Sequence, residues 1–106
     1  MIEYKIIITQ RAYSDIIECV FFVNNVSKKA AQDLYSEIIN SIESLKSYPN
    51  AYPCIEGLTI GGINIRKMPI HHGRYLVIYK VDVNSVTIYD VIDSRKDNLL
   101  AKLFNN

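Results

Sequence analysis

The sequence predicts an α+β fold, and a few observations carry that prediction. Two long segments space their apolar residues three or four positions apart, as the buried face of a helix requires. An isoleucine-rich run opens the chain, and residues 62–97 hold further short apolar runs separated by turn residues. We therefore expect an N-terminal strand, an antiparallel helical hairpin on one face of a mainly antiparallel four-stranded sheet, and a short C-terminal helix.

The first half of the chain contains the first strand and both helices of the hairpin. The run from Tyr4 to Ile8 is a predicted strand, and Thr9 is placed to cap the helix that follows. This helix ends at Asn24 and Asn25, and Ser27 caps a second helix that ends at Tyr48 and Pro49. The short connection between the helices favours an antiparallel hairpin. The predicted inward faces are Ala12, Tyr13, Ile16, Val20 and Val23 in the first helix, and Ala31, Leu34, Ile38, Ile42 and Leu45 in the second.

The second half of the chain begins with a predicted loop, because Pro49 to Gly62 contains two prolines and three glycines with little periodicity. Short turns at His71-His72-Gly73 and at residues 82–85 separate the strands that follow. The predicted strands are Ile63 to Ile70, Arg74 to Asp82 and Val86 to Asp93. Ser94 to Phe104 is a predicted helix. Its apolar stripe consists of Leu99, Leu100, Leu103 and Phe104, and it needs a partner inside or outside the domain.

Length and composition exclude several classes of protein. A chain of 106 residues suits one domain, which we place at residues 1–106. It has no apolar run of the roughly 20 residues that cross a bilayer, and its N-terminus lacks the pattern of a signal peptide, so a cytoplasmic location is expected. The net charge of +1 is too small for indiscriminate nucleic-acid binding. Residues 66–106, however, carry seven Lys and Arg against four Asp and Glu, so this part favours an anionic partner.

Neither cysteine nor histidine spacing indicates a metal site. Cys19 lies in the first helical pattern and Cys54 in the proline-bounded loop, so we expect two reduced thiols without a catalytic role. His71 and His72 have no further ligand at a suitable spacing. No metal and no cofactor are predicted.

The later strands carry the residues that we consider for a functional site. Strand alternation predicts that Arg74 and Lys80 share one face, opposite Tyr75. These cations either form a surface for phosphate or an acidic protein, or they are solvated and paired with nearby aspartates. Asp90 interrupts an apolar alternation, and we expect a basic neighbour on the sheet to hold it. The cations of this region are Arg66, Lys67, Arg74, Lys80, Arg95 and Lys96.

Aromatic and histidine side chains in this region also have two interpretations each. Tyr75, Tyr79 and Tyr89 could offer stacking surfaces to bases, or simply pack an apolar ring with a wet hydroxyl. His71 and His72 titrate in the range that proton transfer needs, but a turn beside glycine is also where exposed polar residues occur.

The order of these segments resembles the RelE/ParE superfamily of toxins from type II toxin–antitoxin modules of the plasmid-stabilisation kind. The resemblance covers nearly the whole chain. It is carried by Thr9-x-x-Ala12-x-x-Asp15-Ile16, by Ile65-Arg66-Lys67-Met68-Pro69, by Tyr75-Leu76-Val77-Ile78-Tyr79-Lys80-Val81, and by Val91-Ile92-Asp93-Ser94-Arg95-Lys96-Asp97. It implies a cognate antitoxin that wraps the toxin and covers its basic face.

The superfamily contains two mechanisms, and this chain departs from one of them. RelE-like members cleave messenger RNA on the ribosome, which requires a base and several cations, whereas ParE-like members bind DNA gyrase. Cleaving members usually carry arginine directly after the strand tyrosine and many carry histidine near the end of the last strand. Leu76 and Asp93 stand at those positions here.

Three functions follow from the resemblance. The first is growth inhibition by ParE-like binding to a macromolecular target such as gyrase, with Lys67, Lys80, Lys96 and Tyr75 as target-binding residues. The second is RelE-like RNA cleavage. Its catalytic residues would be Arg66, Arg74 and Arg95, with His72 or Asp93 as the general base. The third is an inactive member that acts as an interaction domain.

Overall fold

The computed structural model describes residues 3–95 of the chain. It has an α+β architecture in which two helices follow the first strand and four further strands follow the helices. The elements are β1 (Lys5–Ile8), α1 (Gln10–Asn24), α2 (Lys28–Ser44), β2 (Cys54–Ile60), β3 (Ile63–Ile70), β4 (Tyr75–Val81) and β5 (Ser85–Asp93). Ser94 and Arg95 form a turn. The rest of the predicted C-terminal helix lies outside the described residues. No helix in residues 3–95 is long and apolar enough to span a membrane.

The sheet has five strands in the order β1-β5-β4-β3-β2, so the predicted number of four was wrong. β1 runs parallel to β5, and the other neighbours are antiparallel, as expected. The missed strand is β2, which lies within the segment predicted to be a loop. Its register with β3 shifts between Cys54 and Thr59, and Gly57 has a φ of +77°. This irregularity removes the alternation by which a strand is recognised in sequence.

Two glycines connect β2 to β3 in a tight hairpin. Gly61 and Gly62 both have positive φ, at 61° and 80°, and Ile60 pairs with Ile63 on either side of them. Two-residue hairpin turns that match the strand twist need positive φ at both central positions, and glycine adopts it without strain. The glycines therefore mark a hairpin between strands and not a long loop.

The helical hairpin packs on one face of the sheet, as predicted. Every residue of the predicted inward face of α2 is buried, and Thr9 and Ser27 cap α1 and α2 by accepting hydrogen bonds from Ala12 N and Ala30 N at 3.1 Å. In α1, however, Tyr13 is 56% exposed, so its predicted inward position was wrong. Asp15 is buried in its place. A helix turns about 100° per residue, and Tyr13 lies at the edge of the arc that a Thr9-capped α1 presents to the sheet.

A second apolar cluster lies on the sheet face opposite the hairpin. Ile65, Ile78 and Ile92 are each at most 2% exposed there, together with Leu58 of β2. Leu76 is half-buried against this cluster. Alternate residues of β3, β4 and β5 therefore serve two apolar clusters, which explains why these strands are apolar almost throughout.

The first turns of α1 take the place of a strand beside the end of β5. β1 stops at Ile8, which pairs with Ile88, so the remainder of β5 pairs with β4 alone. The Thr9 N–H donates to Ile88 O at 3.1 Å and the Thr9 hydroxyl donates to Tyr89 O at 3.3 Å. The buried Asp15 carboxylate then accepts from the Val91 N–H at 3.1 Å. Thr9 and Asp15 thus bind backbone groups of β5 that a neighbouring strand would otherwise bind.

Asp90 has a basic partner, but that partner lies on a helix and not on the sheet as predicted. Arg11 Nε lies 2.9 Å from Asp90 Oδ1, and the Asp90 side chain is only 4% exposed. A β-bulge between β4 and β5, where Ile78 pairs with Asp90 and Tyr79 with Ile88, leaves Tyr89 as the extra residue. The ion pair therefore joins α1 to β5 just beyond the bulge.

The turn between β3 and β4 is fastened to α2 by a histidine. His71 and His72 have positive φ values of 53° and 57°, which are costly for residues with a Cβ. Glu37 Oε2 accepts from the His71 N–H at 2.8 Å, and Glu37 Oε1 lies 2.9 Å from His71 Nδ1. The hydrogen bond from the His71 side chain holds the pKa of Glu37 below its ordinary value of 4.5.

The Asp15 contact predicts a specific loss of stability. Asp15→Ala leaves the buried Val91 N–H without an acceptor, so the free energy of unfolding should fall by about 1–3 kcal/mol in urea titrations. Asp15→Asn keeps an acceptor oxygen and should lose less. The matched control is Asp33→Ala, because Asp33 is 68% exposed in an ion pair with Lys29, and it should change stability by less than about 0.5 kcal/mol. Equal losses in Asp15→Ala and Asp33→Ala would contradict this role.

The Glu37 contact predicts a pH dependence of stability. A carboxyl group with a lowered pKa in the folded state stabilises that state fully above its ordinary pKa of 4.5, and this contribution disappears as the pH falls through the lowered value. Glu37→Gln should therefore be less stable than the parent by about 0.5 kcal/mol near about pH 7, and this difference should be smaller near about pH 3. Urea unfolding at both pH values measures this, with the exposed Glu56→Gln as control. A difference that persists unchanged in acid would refute it.

Candidate functional site

A cleft of about 390 Å³ opens between α1 and the ends of two central strands. Tyr75 at the start of β4 pairs with Asp93 at the end of β5, so Arg74 and Arg95, which flank these residues in sequence, lie at the same end of the sheet. Ser94 closes this end, since its hydroxyl donates to Gly73 O at 2.6 Å and its N–H donates to Arg74 O at 2.8 Å. The lining residues are Glu18, Cys19, Phe22, Arg74, Tyr75, Asp93 and Arg95.

Arg95 is held by Asp93. The Asp93 carboxylate accepts from the Arg95 N–H at 2.9 Å, from Nε at 3.2 Å and from Nη2 at 3.1 Å. The hydrogen bond from the Arg95 side chain lowers the pKa of Asp93, and the same bond raises the pKa of Arg95. A carboxylate with a lowered pKa is a weaker proton acceptor, so this contact argues against Asp93 as a general base.

Arg74 lies against an aromatic ring. Its guanidinium carbon lies 5.7 Å from the centre of the Tyr75 ring, within the range of a cation–π contact. Its Nε is buried and has no hydrogen-bond partner in the described part of the chain. Tyr75 itself is 4% exposed, and burial raises the pKa of its phenol, so the ring is a neutral wall of the cleft. Arg74 precedes β4 and lines the cleft together with Tyr75, so the prediction that the two lie on opposite faces was wrong.

Arg66 lies away from this cleft. It pairs with Tyr79, whereas Ile70 pairs with Tyr75, and four residues along a strand correspond to about 13 Å. Arg66 Nη1 donates to Tyr52 O at 2.6 Å, and the neighbouring Tyr79 hydroxyl donates to Pro49 O at 2.8 Å. Burial raises the pKa of Tyr79 to about 12. This pair fastens the segment that precedes β2 to the sheet.

Two of the predicted lysines, Lys67 and Lys80, lie on the sheet face opposite the helices. Lys67 pairs with Ile78 and Lys80 with Ile65, and both isoleucines belong to the second apolar cluster. Lys80 Nζ lies 3.5 Å from Asp82 Oδ2, while Lys67 is exposed. Lys96 lies outside the described residues.

His72 does not line the cleft. It is exposed in the β3–β4 turn, and its ring centre lies 5.9 Å from that of His71, which is bound to Glu37. The structure therefore brings together Arg74, Arg95 and Tyr75 from the predicted set and separates them from Arg66, Lys67, Lys80 and His72. It adds Glu18, Cys19 and Phe22 from α1. One feature of the sequence pointed to Phe22, since it is a large apolar residue that lies outside the predicted inward face of its helix.

The outer surface of α1 is apolar as well. Tyr13, Ile17 and Phe21 follow one another at four-residue intervals and are 56%, 52% and 65% exposed. Beside them, a groove of about 350 Å³ runs between α1 and α2 and is lined in part by Tyr35, which is 50% exposed. Exposed apolar surface of this kind commonly marks a protein contact.

Comparison with known proteins identifies the family. No curated protein sequence matches the chain. A chain in the solved structure of the chromosomal ParDE TA system from P. aeruginosa has a TM-score of 0.65 at 13% sequence identity, with 86% of this chain and 96% of that chain covered. At this identity the likeness shows a common fold. The family model of the ParE toxin of type II toxin-antitoxin system, parDE, matches residues 6–98. Because this match spans most of the sequence, the chain belongs to the ParE toxin family.

Proposed function

We propose that this chain is a growth-inhibiting toxin that acts in the cytoplasm by binding a protein target, with DNA gyrase as the expected target, and that a cognate antitoxin neutralises it. Membership of the ParE family supports the toxin–antitoxin role. The observation that carries the choice of binding over RNA cleavage is the charge balance of the cleft. Its described lining holds two arginines, two carboxylates and no histidine.

This balance is unfavourable for cleavage of RNA. Cleavage requires a base for the 2′-hydroxyl proton and cations for the charge that develops on the phosphate. Here Asp93 already binds Arg95 through three hydrogen bonds, and the position after Tyr75 is occupied by Leu76, which packs against the apolar cluster on the opposite face. Of the two arginines in the described lining of the cleft, Arg74 is the one left for an incoming group.

The exposed apolar surface of α1 supports the antitoxin partner. Antitoxins of this kind are extended segments that cover large surfaces when they fold on the toxin. The stripe of Tyr13, Ile17 and Phe21 beside the interhelical groove offers a helix or an extended segment a continuous apolar contact.

Induced expression tests the proposed function. We expect growth to stop and a DNA-damage reporter to rise while transcripts stay intact, and we expect co-expression of the adjacent gene to restore growth. Transcript loss at defined sequences would replace this proposal with RNA cleavage. Normal growth, with the protein shown to be folded and abundant, would identify an inactive member of the family.

Arg74 offers a sharper prediction within the same assay. Arg74→Ala removes a guanidinium whose buried Nε has no hydrogen-bond partner among residues 3–95, and it should weaken growth inhibition by at least about tenfold in the inducer concentration needed, as expected for loss of a charged contact. The control is Lys5→Ala, because Lys5 is exposed and pairs with Ser85 at the opposite end of β5. Equal toxicity of both variants at equal protein levels would exclude Arg74 from the site.

A further inference from the structure

We propose that the cleft at Arg74 is a docking site for an acidic peptide segment of a protein partner, in which one carboxylate binds Arg74 and a neighbouring large apolar side chain contacts Phe22 and Tyr75. This rests on the proposed function, in which the toxin binds a protein. It goes further by naming the chemistry of the bound segment.

The first step of the inference is that the hydrogen bonding of the Arg74 guanidinium is incomplete within residues 3–95. Its Nε is buried without a hydrogen-bond partner in the described part of the chain, and a buried donor without a partner is costly. Asp93, a carboxylate of the same cleft, accepts hydrogen bonds from both the side chain and the backbone N–H of Arg95. A carboxylate that enters the cleft would bind the Arg74 guanidinium, because arginine binds carboxylates through two parallel hydrogen bonds.

The second step is that apolar walls stand beside the charged groups of the cleft. Tyr75 is 4% exposed and forms one wall, while Phe22 is 67% exposed at the rim although it is a large aromatic residue. Arg74 lies over the Tyr75 ring, which orients its guanidinium. A segment that presents a carboxylate beside a leucine or phenylalanine would match both parts of this surface. A bare anion would match one part only.

The third step is that the charges of the cleft favour a peptide over a nucleic acid. A nucleic-acid backbone brings one charge per nucleotide and is bound by several cations that follow it. In this cleft Glu18 and Asp93 balance Arg74 and Arg95, so a phosphate chain would gain little net attraction. Among the described residues of the later strands, the lysines that could extend a basic track are Lys67 and Lys80, and both lie on the opposite sheet face. One carboxylate needs only one cation.

Binding of short peptides to the intact ¹⁵N-labelled protein tests this inference without a need for the natural partner. The probes are acetyl-Gly-Leu-Glu-Leu-Gly-amide, the same peptide with Gln for Glu, the same peptide with Ser for both Leu, and hexauridylate. We expect the first probe to give saturable chemical-shift changes at the amides of Cys19, Phe22 and Tyr75. The Gln and Ser peptides should each bind at least about tenfold more weakly.

Protein variants give a second, independent readout. Arg74→Gln should lose binding of the Glu peptide by at least about tenfold, whereas Lys5→Gln, which removes the same charge at the far end of β5, should bind as the parent does. Equal binding of the Glu and Gln peptides would overturn the proposed role of the carboxylate. This comparison needs no protein variant, so a folding defect in Arg74→Gln cannot obscure it. Tighter binding of hexauridylate than of the Glu peptide would overturn the proposal that the cleft binds a peptide.

The peptide result and the growth result separate the two proposals. Peptide binding that depends on Arg74 in a protein that never slows growth would leave the docking site standing and refute the toxin function. Growth arrest with a DNA-damage response in a protein that binds none of the peptides would do the reverse.

Discussion

The contact on which the rest of this structure depends is the junction between the start of α1 and the unpaired edge of β5. β1 is only four residues long and leaves β5 after Ile88. From there Thr9 and Asp15 bind the backbone of β5, and Arg11 binds Asp90. These contacts do two things at once. They satisfy polar groups at a buried edge, which would otherwise destabilise the fold, and they set where α1 lies relative to the sheet.

That position of α1 determines the cleft. Asp15 is joined to β5 at Val91, and Glu18, Cys19 and Phe22 follow it by three to seven residues, so one or two helical turns carry them past the end of β5. They meet Arg74 and Tyr75 because β4 starts where β5 ends. The site is therefore a consequence of strand register and helix position together. A helix shifted by one turn would place a different set of side chains opposite Arg74.

The degree to which sequence predicts this molecule varies with the kind of contact. The buried face of α2 and the bounds of β3 follow from short-range periodicity, and both were predicted correctly. β2 was missed because a register shift and Gly57 interrupt its pattern, and Tyr13 was misplaced because the caps and Asp15, not apolar residues alone, set the orientation of α1. The site was harder to predict. Alternation placed Arg74 opposite Tyr75, but residue 74 lies before the strand, where alternation no longer applies. The partner of Asp90 comes from residue 11, and no local pattern could indicate a pair so distant in sequence.

The separation of the cations decides what the basic end of the chain can do. Counted along the sequence, residues 66–106 are basic, which favours an anionic partner. In the fold, Arg66 donates a hydrogen bond to Tyr52 O, and Arg95 donates to the Asp93 carboxylate. Lys67 and Lys80 lie on the sheet face of the second apolar cluster. The order Asp93-Ser94-Arg95 is the reason for the contact between Arg95 and Asp93, since a turn lets a side chain fold back onto a carboxylate two residues earlier. Asp93 is bound in this way, and the buried Nε of Arg74 has no acceptor among residues 3–95. An arginine beside apolar walls binds one charge and selects what lies next to that charge, which is a property of protein recognition more than of binding to a polyanion.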